Sequence, residues 1–155
     1  MTRDLQSADS QGLVRGVRSF EMRHVTDPVR GSLTMAEFRE DLPFIPCRYF
    51  ITYAIPARQV RGDHAHLRCS QFVLCVNGCC ELSLDDGLHQ NVFHLDRPTL
   101  GVLIPPMTWT RVHHRTPDSA LLVLASHPYE PGDYIHDYRR FLALSSREQL
   151  QIHQA

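Results

Sequence analysis

The sequence lacks the features that mark several large classes of protein. Its 155 residues carry a net charge of −1 with histidine counted as neutral, so there is no basic surplus of the kind that nucleic-acid-binding domains show. No apolar run approaches the roughly 20 residues of a membrane-spanning helix. The first ten residues, MTRDLQSADS, are polar and include two acids, unlike a secretory signal. We therefore expect a cytoplasmic globular protein without nucleic-acid or membrane partners.

The cysteines form neither a disulfide pattern nor a metal motif. There are five of them, an odd number, and no CxxC spacing occurs. Cys79 and Cys80 are neighbours, and neighbouring strand residues point to opposite faces, so a joint metal site at these two is not favoured. The pattern is typical of reduced thiols in the cytosol.

Internal repeats and low-complexity segments are also missing, and helical periodicity is scarce before residue 133. What remains is a series of short β-branched and aromatic runs, spaced by about ten residues. CRYFITYAI at 47–55 is one such run, QFVLCVNG at 71–78 ends in an Asn-Gly turn, and CCELSLDDG at 79–87 alternates before its turn. This order predicts an all-β protein with the architecture of a jelly-roll barrel.

Only the end of the chain carries helical signals. Asp133 can cap a short turn that includes Tyr134, and Ser145 with Glu148 fits a capping box. We therefore predict short C-terminal helical segments. The expected organisation is a frayed N-terminus over 1–12, the barrel domain over 13–144 and a short helical tail over 145–155.

The most informative stretch is RGDHAHLRCSQ at 61–71, in which His64 and His66 form an HxH motif. In metal-binding jelly rolls of the cupin kind, HxH precedes a Glu by four or five residues, and a second block supplies another His. Here Gln71 occupies the place of the Glu and Arg111 that of the last His. An amide is a poor substitute for a carboxylate on a hard cation, and a guanidinium repels cations. Because two of the four ligands remain, we predict neither a metal nor another cofactor.

The same histidine pair suits acid–base chemistry. Residues 64 and 66 share one face of a strand, and two imidazoles that titrate near neutrality can take a proton at one atom and return it at the next. Two inward histidines can equally be satisfied core groups. Arg61, Gln71 and Arg111 are expected at interior positions as well, and arginines without carboxylate partners indicate an anionic ligand, phosphate above all.

Several segments together resemble a known family. They are DPVRGSL (27–33), PFIPCRYF (43–50), RGDHAH (61–66), LDRPTLGVLIPPMTW (95–109) and LLVLASHPYEPGDYIHDYRRF (121–141). From about residue 20 to residue 142 the chain resembles the sugar nucleotide 3,4-ketoisomerases of the FdtA/QdtA type, which are WxcM-like cupins. The resemblance implies a metal-independent homodimer in which an N-terminal strand crosses into the partner's sheet. It also implies an isomerase that moves the carbonyl of dTDP-4-keto-6-deoxy-D-glucose from C4 to C3 through an enediol, in the biosynthesis of 3-amino deoxysugars for glycans or antibiotics.

The resemblance also implies roles for individual residues. His64 would be the base that takes the C3 proton, and His66 would assist, either by returning a proton at C4 or by relaying one between the sugar oxygens. Arg48 and Arg61 would hold the diphosphate or the enediolate oxygens. The chain departs from the family at Phe50, where members usually have a tyrosine, and at Thr110, where members often have a histidine. The remaining residues expected to bind substrate are Gln71, Arg111, Trp109 and Tyr53. Trp109 can stack on the thymine, although a lone tryptophan in a β domain is more often a core residue. Tyr53, with Tyr49, is a candidate to replace the missing tyrosine.

Three other functions stay open at this point. One is a metal cupin, such as a small dioxygenase or an isomerase of the mannose-phosphate type. A second is a 3,5-epimerase of the same nucleotide sugar, which needs a His–Asp dyad and an opposing tyrosine. The third is a sugar-binding cupin without turnover, which predicts ligand binding with no change to the ligand.

Overall fold

The computed structural model describes residues 2–5, 13–56 and 59–153. Within these ranges the chain forms thirteen strands, a short 3₁₀ turn and one α-helix. The strands are β1 (Arg3–Asp4), β2 (Arg18–Glu21), β3 (Arg23–Asp27), β4 (Gly31–Met35), β5 (Arg48–Tyr53), β6 (Val60–His66), β7 (Gln71–Asn77), β8 (Cys80–Asp85), β9 (Gln90–Leu95), β10 (Leu100–Ile104), β11 (Trp109–His114), β12 (Ala120–Ala125) and β13 (Tyr134–Ile135). The 3₁₀ turn is Pro131–Asp133, and the helix α1 is Tyr138–His153.

The strands form two large antiparallel sheets. One has the order β1-β2-β10-β7-β12-β5 and the other the order β13-β6-β11-β8-β9, while β3 and β4 pair only with each other. Non-sequential neighbours of this kind are typical of a jelly roll. The all-β prediction is confirmed. The two sheets are not joined by a ladder in the described part of the chain, so the barrel is open and resembles a sandwich.

The core lies between the two sheets and follows from the alternation of the strands. On β8, Cys80, Leu82 and Leu84 are buried and alternate with partly exposed residues, while β7 is buried over its first five positions. Towards one end the packing leaves an open cavity. Six core side chains form part of its wall, namely Val73, Leu82, Ile104, Val112, Leu121 and Val123.

The helix differs from the prediction of short separate segments. It is a single element of 16 residues, and its cap is Asp137, whose Oδ1 accepts the N–H of Arg140 at 2.7 Å. The capping box at Ser145 and Glu148 is therefore wrong. Ser145 lies inside the helix, is buried and donates its hydroxyl to the carbonyl of Asp86. No helix in the described residues is long and apolar enough to cross a membrane.

The ends of the chain bear on the expected organisation. In the region 1–12, β1 pairs with β2 in the register Arg3↔Glu21 and Asp4↔Phe20, while residues 6–12 lie outside the described ranges. The boundary drawn at 144/145 falls inside α1. The division into three segments otherwise stays a prediction.

Candidate active site

A bulge in β6 aims the polar residues of this strand into the cavity. Opposite β6, Thr110 pairs with His64 and the adjacent Arg111 pairs with Gly62, so Asp63 is an extra residue. Gly62 and Asp63 have φ angles of 80° and 56°. A Cβ on Gly62 would lie 2.7 Å from the carbonyl oxygen of Thr110, so glycine is required there. Because the bulge inserts one residue, the odd-numbered Arg61 lines the same cavity as the even-numbered His64.

The cavity between the sheets measures about 340 Å³. Its polar wall contains two cations, Arg48 and Arg61, and none of the described residues that line it is an aspartate or a glutamate. This charge balance suits an anionic ligand. Besides the six core side chains, the lining consists of Arg48, Phe50, Thr52, Arg61, Gly62, His64, Gln71, Thr110, Tyr129, Tyr134 and His136.

His66 is held by a buried carboxylate that the sequence analysis treated only as a helix cap. Its Nδ1 lies 2.9 Å from Oδ2 of Asp133. Asp133 also accepts the backbone N–H groups of Arg68 at 2.8 Å and Cys69 at 3.2 Å. His66 and Asp133 are 5% and 4% exposed, and both lie behind the cavity wall rather than on it. The expectation that His66 acts directly on the sugar therefore does not fit its position.

The hydrogen-bond partners assign the proton in both imidazoles. His64 Nδ1 lies 2.9 Å from the carbonyl oxygen of Gly62, which can only accept, and His66 Nδ1 faces a carboxylate. Each neutral ring therefore carries its proton on Nδ1 and a lone pair on Nε2. The two Nε2 atoms are 3.3 Å apart, and the amide nitrogen of Gln71 lies 3.2 Å from Nε2 of His66.

The environment favours the uncharged form of both rings. Burial lowers the pKa of His64, and the nearby His136 lowers it further, while the carbonyl of Gly62 and the carboxylate of Asp63 oppose this shift. Burial also lowers the pKa of His66, with the hydrogen bond to Asp133 as the main opposing effect. Burial alone would raise the pKa of Asp133, but its hydrogen bonds outweigh this and its pKa is lowered. The pair is thus a neutral base beside a carboxylate anion.

A tyrosine and an arginine complete the polar end of the cavity. Tyr134 pairs with His66 across β13 and β6, and its ring centroid lies 4.3 Å from that of His66 and 5.0 Å from that of His64. Its hydroxyl accepts a hydrogen bond from Nη2 of Arg48 at 3.2 Å. The Nε of Arg48 donates to the carbonyl oxygen of His127, also at 3.2 Å. The phenol, the guanidinium and the His64 imidazole therefore meet at one place.

Two residues of β11 that were predicted to face the ligand point the other way. Because side chains alternate along a strand, Thr110 lines the cavity while Trp109 and Arg111 lie on the outer face. Trp109 is 4% exposed and packs under α1, and its Nε1 donates to Oδ1 of Asp63 at 3.2 Å. Arg111 donates from Nε to the same oxygen at 2.7 Å. Neither Trp109 nor Arg111 lines the cavity, so their positions do not support the predicted roles in substrate binding.

Tyr53, the candidate to replace the tyrosine that the resemblance implies at position 50, does not face the cavity either. Arg48, Phe50 and Thr52 face the cavity, whereas Tyr53 is 67% exposed on the outer face. Tyr49 points outward as well and is 70% exposed. Tyr134 was not among the predicted site residues, because it lies inside the segment that carries the family resemblance but has no local signal for an inward position.

The donor atoms near the pair form an incomplete metal site. The Nε2 atoms of His64 and His66 and the side-chain amide of Gln71 converge, and Thr110 also lines the cavity. A second group, His66, Cys69 and Asp133, has its ligand atoms within 4.8 Å of one another, but here His66 and Asp133 are hydrogen-bonded to each other. Arg111 does not repel a cation at this pair as predicted, since its guanidinium lies outside the cavity beside Asp63. Metal independence stays a prediction that rests on the donor types alone.

Two facing antiparallel sheets, a cavity between them and an imidazole pair on an HxH strand define a cupin-type protein with an acid–base site. Comparison with known proteins identifies the family. Residues 15–146 match the family described as FdtA: WxcM-like, C-terminal, and the chain therefore belongs to it. The family and the cupin fold predicted from the sequence are both confirmed.

Individual relatives agree with this assignment. The chain is 36% identical over 112 residues to a TDP-4-oxo-6-deoxy-α-D-glucose-3,4-oxoisomerase from Aneurinibacillus thermoaerophilus, which covers 72% of this chain and 81% of the relative. It is similar to the crystal structure of QdtA, a sugar 3,4-ketoisomerase from Thermoanaerobacterium thermosaccharolyticum, in complex with TDP. That likeness has a TM-score of 0.84 and 27% identity over 88% of this chain and 98% of the other. A mutant of the same QdtA in complex with TDP-4-keto-6-deoxyglucose matches with a TM-score of 0.83 and 27% identity, over 87% and 97% of the two chains.

Proposed function

We propose that this protein is a 3,4-ketoisomerase that converts dTDP-4-keto-6-deoxy-D-glucose to the 3-keto isomer, in the cytoplasm and in the biosynthesis of 3-amino or related deoxysugars. The observation that carries the proposal is a neutral imidazole, His64, in the wall of a cavity that holds two arginines and no described carboxylate. Relatives named as oxoisomerase and ketoisomerase of this class of sugar, one of them bound to such a keto sugar, support it.

The reaction needs one proton moved between carbons and one between oxygens. His64 takes the proton from C3, the electron pair of that bond forms the C3=C4 double bond, and the π pair of the C4 carbonyl moves to O4. In the second half, O3 loses its proton and forms the C3 carbonyl, and the C3=C4 pair takes a proton at C4. The net change moves one hydrogen from C3 to C4 and one from O3 to O4, so no redox partner is required.

The oxygen-bound proton needs a second group, and Tyr134 is our candidate. Its hydroxyl is in the cavity wall, next to the guanidinium of Arg48, and its ring lies against both imidazoles. A phenol can give and take a proton in one place, and the arginine stabilises the negative charge that develops on the sugar oxygens. In this arrangement Arg48 faces the enediolate. Arg61, on β6, then binds the diphosphate of the nucleotide.

The test is incubation with dTDP-4-keto-6-deoxyglucose followed by NMR of the product. We expect the carbonyl carbon to move from C4 to C3 without inversion at C5. A His64→Ala variant is expected to lose turnover by roughly 10²- to 10⁴-fold, the contribution of a general base. The matched control is His94→Ala, because the His94 side chain is 69% exposed on β9. A stoichiometric transition metal in protein purified without chelators or nickel would contradict metal independence.

A 3,5-epimerase is the second candidate, and one observation favours it. The His66–Asp133 contact is the dyad that such an enzyme needs, and Tyr134 stands beside it. We prefer the isomerase because the dyad histidine is buried behind His64 and does not line the cavity. Inversion at C5 with the carbonyl still at C4 would decide for the epimerase, and binding without any change to the ligand would decide for a sugar-binding cupin.

We also propose that the chain acts as a homodimer, with an N-terminal strand that crosses to the partner's sheet as the family resemblance implies. The support is an apolar surface on one side of the molecule. The β3–β4 hairpin pairs with neither large sheet and exposes Val25 and Leu33, which are 56% and 58% accessible. Tyr49 and Tyr53 extend this surface along the outer face of β5.

A further inference from the structure

The imidazole pair is arranged to hold one additional proton. Both Nδ1 atoms carry their protons towards fixed acceptors, so both Nε2 atoms carry lone pairs and lie 3.3 Å apart when the rings are neutral, with the amide nitrogen of Gln71 3.2 Å from Nε2 of His66. Lone pairs this close repel. A single proton between the two nitrogens replaces this repulsion with an N–H···N hydrogen bond. Two added protons would place two cations in contact, so the pair is suited to one.

We infer that Asp133 is a positioning residue that keeps the proton of His66 on Nδ1, which makes Nε2 of His66 the acceptor for the proton that His64 takes from the sugar. The inference deepens the proposed function and rests on it. Asp133 does not touch the cavity, and it acts on the reaction only through the orientation and protonation of His66.

The positions of His64, His66 and Asp133 set the direction in which the proton moves, from the cavity wall towards the interior. His64 is in the cavity wall, His66 lies behind it, and Asp133 lies behind His66. When His66 receives a proton on Nε2 it becomes an imidazolium whose Nδ1–H already points at a carboxylate 2.9 Å away. Such a contact stabilises the charged ring, as it does where an aspartate backs a catalytic histidine. The proton is thus stored out of reach of the substrate until His64 returns it at C4.

The number of protons is conserved in this scheme. The C3–H bond breaks, an N–H bond forms at Nε2 of His64, and that proton moves to Nε2 of His66 while the Nδ1 protons stay in place. On return, Nε2 of His66 gives its proton back to Nε2 of His64, and the carbon–carbon double bond takes it at C4. At the end both rings are neutral again and no group outside the pair has changed its proton count.

The surrounding charges identify Asp133 as the group that matters for this step. Arg48 on β5 and His136 after β13 disfavour an added proton on the pair, while Asp63 on the bulge of β6 favours one. Arg68 lies with its Nε 3.6 Å from Oδ1 of Asp133, but its side chain is 66% exposed and screened by solvent. The Tyr134 ring contacts both imidazoles without carrying charge in its phenol form. Among the described charged groups, Asp133 is the one hydrogen-bonded to an imidazole of the pair.

The variant that tests the inference is Asp133→Asn. Its amide oxygen can still accept the N–H of Arg68, but the N–H of Cys69 loses the acceptor that Oδ2 provides. The amide NH₂ donates towards His66 and moves the ring proton from Nδ1 to Nε2. We expect kcat for the 4-keto sugar to fall roughly 10²- to 10⁴-fold, as when a proton-transfer group is lost, with KM unchanged because Asp133 does not line the cavity. The acid limb of the kcat–pH profile is expected to shift to lower pH, because the imidazolium loses its counter-charge.

A second readout needs no substrate. The ¹⁵N chemical shifts of the His66 ring are expected to report a protonated Nδ1 and a free Nε2 in the resting wild type, and the reverse in Asp133→Asn. Asp41→Asn is the matched control, since Asp41 is equally buried and accepts a backbone N–H, but its partners Thr2, Arg23 and Glu37 lie away from the cavity. It should lower stability and leave both the His66 tautomer and the acid limb unchanged.

Two results would overturn the inference. One is a wild-type His66 with its proton on Nε2, and the other is an acid limb that does not move in Asp133→Asn. If the wild type makes no 3-keto product, the proposed function fails instead, and the ¹⁵N measurement still decides whether Asp133 sets the tautomer of His66.

Discussion

At the scale of single residues, Phe50, where the family resemblance implies a tyrosine, bears most directly on the chemistry. The Phe50 ring lines the cavity, with the guanidinium carbon of Arg48 5.4 Å from its centroid. The hydroxyl of Tyr134 lies 3.2 Å from Nη2 of the same arginine. Two neighbouring positions around one guanidinium can therefore carry a phenol, and in the proposed mechanism this chain uses the one on β13.

This arrangement predicts a rescue experiment. Tyr134→Phe is expected to lower kcat by roughly 10²-fold, because the oxygen-bound proton loses its carrier. In the double variant Phe50→Tyr with Tyr134→Phe, part of the rate should return, since the new phenol stands beside the same arginine. Turnover measured by NMR or chromatography gives the rates. Tyr53→Phe is the control, because Tyr53 is on the outer face; a wild-type rate in Tyr134→Phe would reject the role of this tyrosine.

The pH dependence follows from the direction of the histidine pKa shifts. Burial lowers the pKa of both His64 and His66 below the ordinary value of 6.5, so both rings are uncharged at neutral pH. A base acts in its uncharged form, so kcat should be constant through neutral pH and fall only as the pH drops below the ordinary histidine range. Measurement of kcat in overlapping buffers from about pH 5 to pH 8 checks this. An acid limb above pH 6.5 would mean that the pair is more basic than its burial allows.

The residues of the site differ in how far the sequence predicts them. His64, Gln71, Arg48 and Arg61 lie in the cavity wall, where motif spacing and the family resemblance had put them. Asp133 was not found, because its contact with His66 joins residues 67 positions apart and nothing in the local sequence PGDY signals it. Periodicity gives the two faces of a strand but not which distant residue completes a site.

At the scale of secondary-structure elements, one inserted residue decides which side chains face the cavity. Without the bulge at Gly62 and Asp63, Arg61 and His64 would point to opposite faces of β6. The same alternation puts Trp109 and Arg111 outside, although they flank Thr110, which faces in. The strands were predictable from composition and turns, but the bulge and the inward face were not, since both depend on the neighbouring strand.

The bulge predicts a specific sensitivity at Gly62. Gly62→Ala combines a φ of 80° with a Cβ that would lie 2.7 Å from the Thr110 carbonyl oxygen, so we expect a loss of about 1–3 kcal/mol in the free energy of unfolding together with a fall in kcat. Gly31→Ala is a matched control, because its φ of 87° carries the same backbone cost while no atom lies within 4 Å of the new Cβ. Urea unfolding of both variants separates the two costs. Equal losses would mean that the contact with Thr110 is unimportant.

The helix shows a different limit of local signals. Ser145 and Glu148 have the spacing of a capping box, but α1 begins earlier, at Tyr138 after the cap Asp137, and runs past them. What overrides the local pattern is packing: Phe141 is fully buried and contacts Trp109, with ring centroids 5.5 Å apart. A helix whose apolar face covers the outer side of β11 does not need to restart at a second cap.

At the scale of the whole molecule, the jelly roll follows from alternation and turn spacing, but its open form does not. The sequence indicated a barrel, whereas the two sheets remain unjoined along their edges in the described residues. A second large depression of about 600 Å³ lies outside the sheets, between the β3–β4 hairpin and the outer face of β5, β7 and β12. Its lining is mostly apolar and includes Leu33, Phe38 and Tyr49, whose side chains are exposed to solvent in the single chain.

The proposed homodimer would bury this surface against a second copy, which predicts the mass of the particle in solution. Light scattering coupled to size-exclusion chromatography should give twice the chain mass of 17.8 kDa. Leu33→Asp places a charge on this surface, and since Leu33 is 58% exposed in the single chain, the substitution should dissociate the dimer without unfolding the protomer. Leu88→Asp is the control, because Leu88 is 67% exposed in the turn between β8 and β9, away from the hairpin. A wild-type mass of one chain would contradict the dimer, and a Leu33→Asp protein that stays at the dimer mass would place the interface on another face.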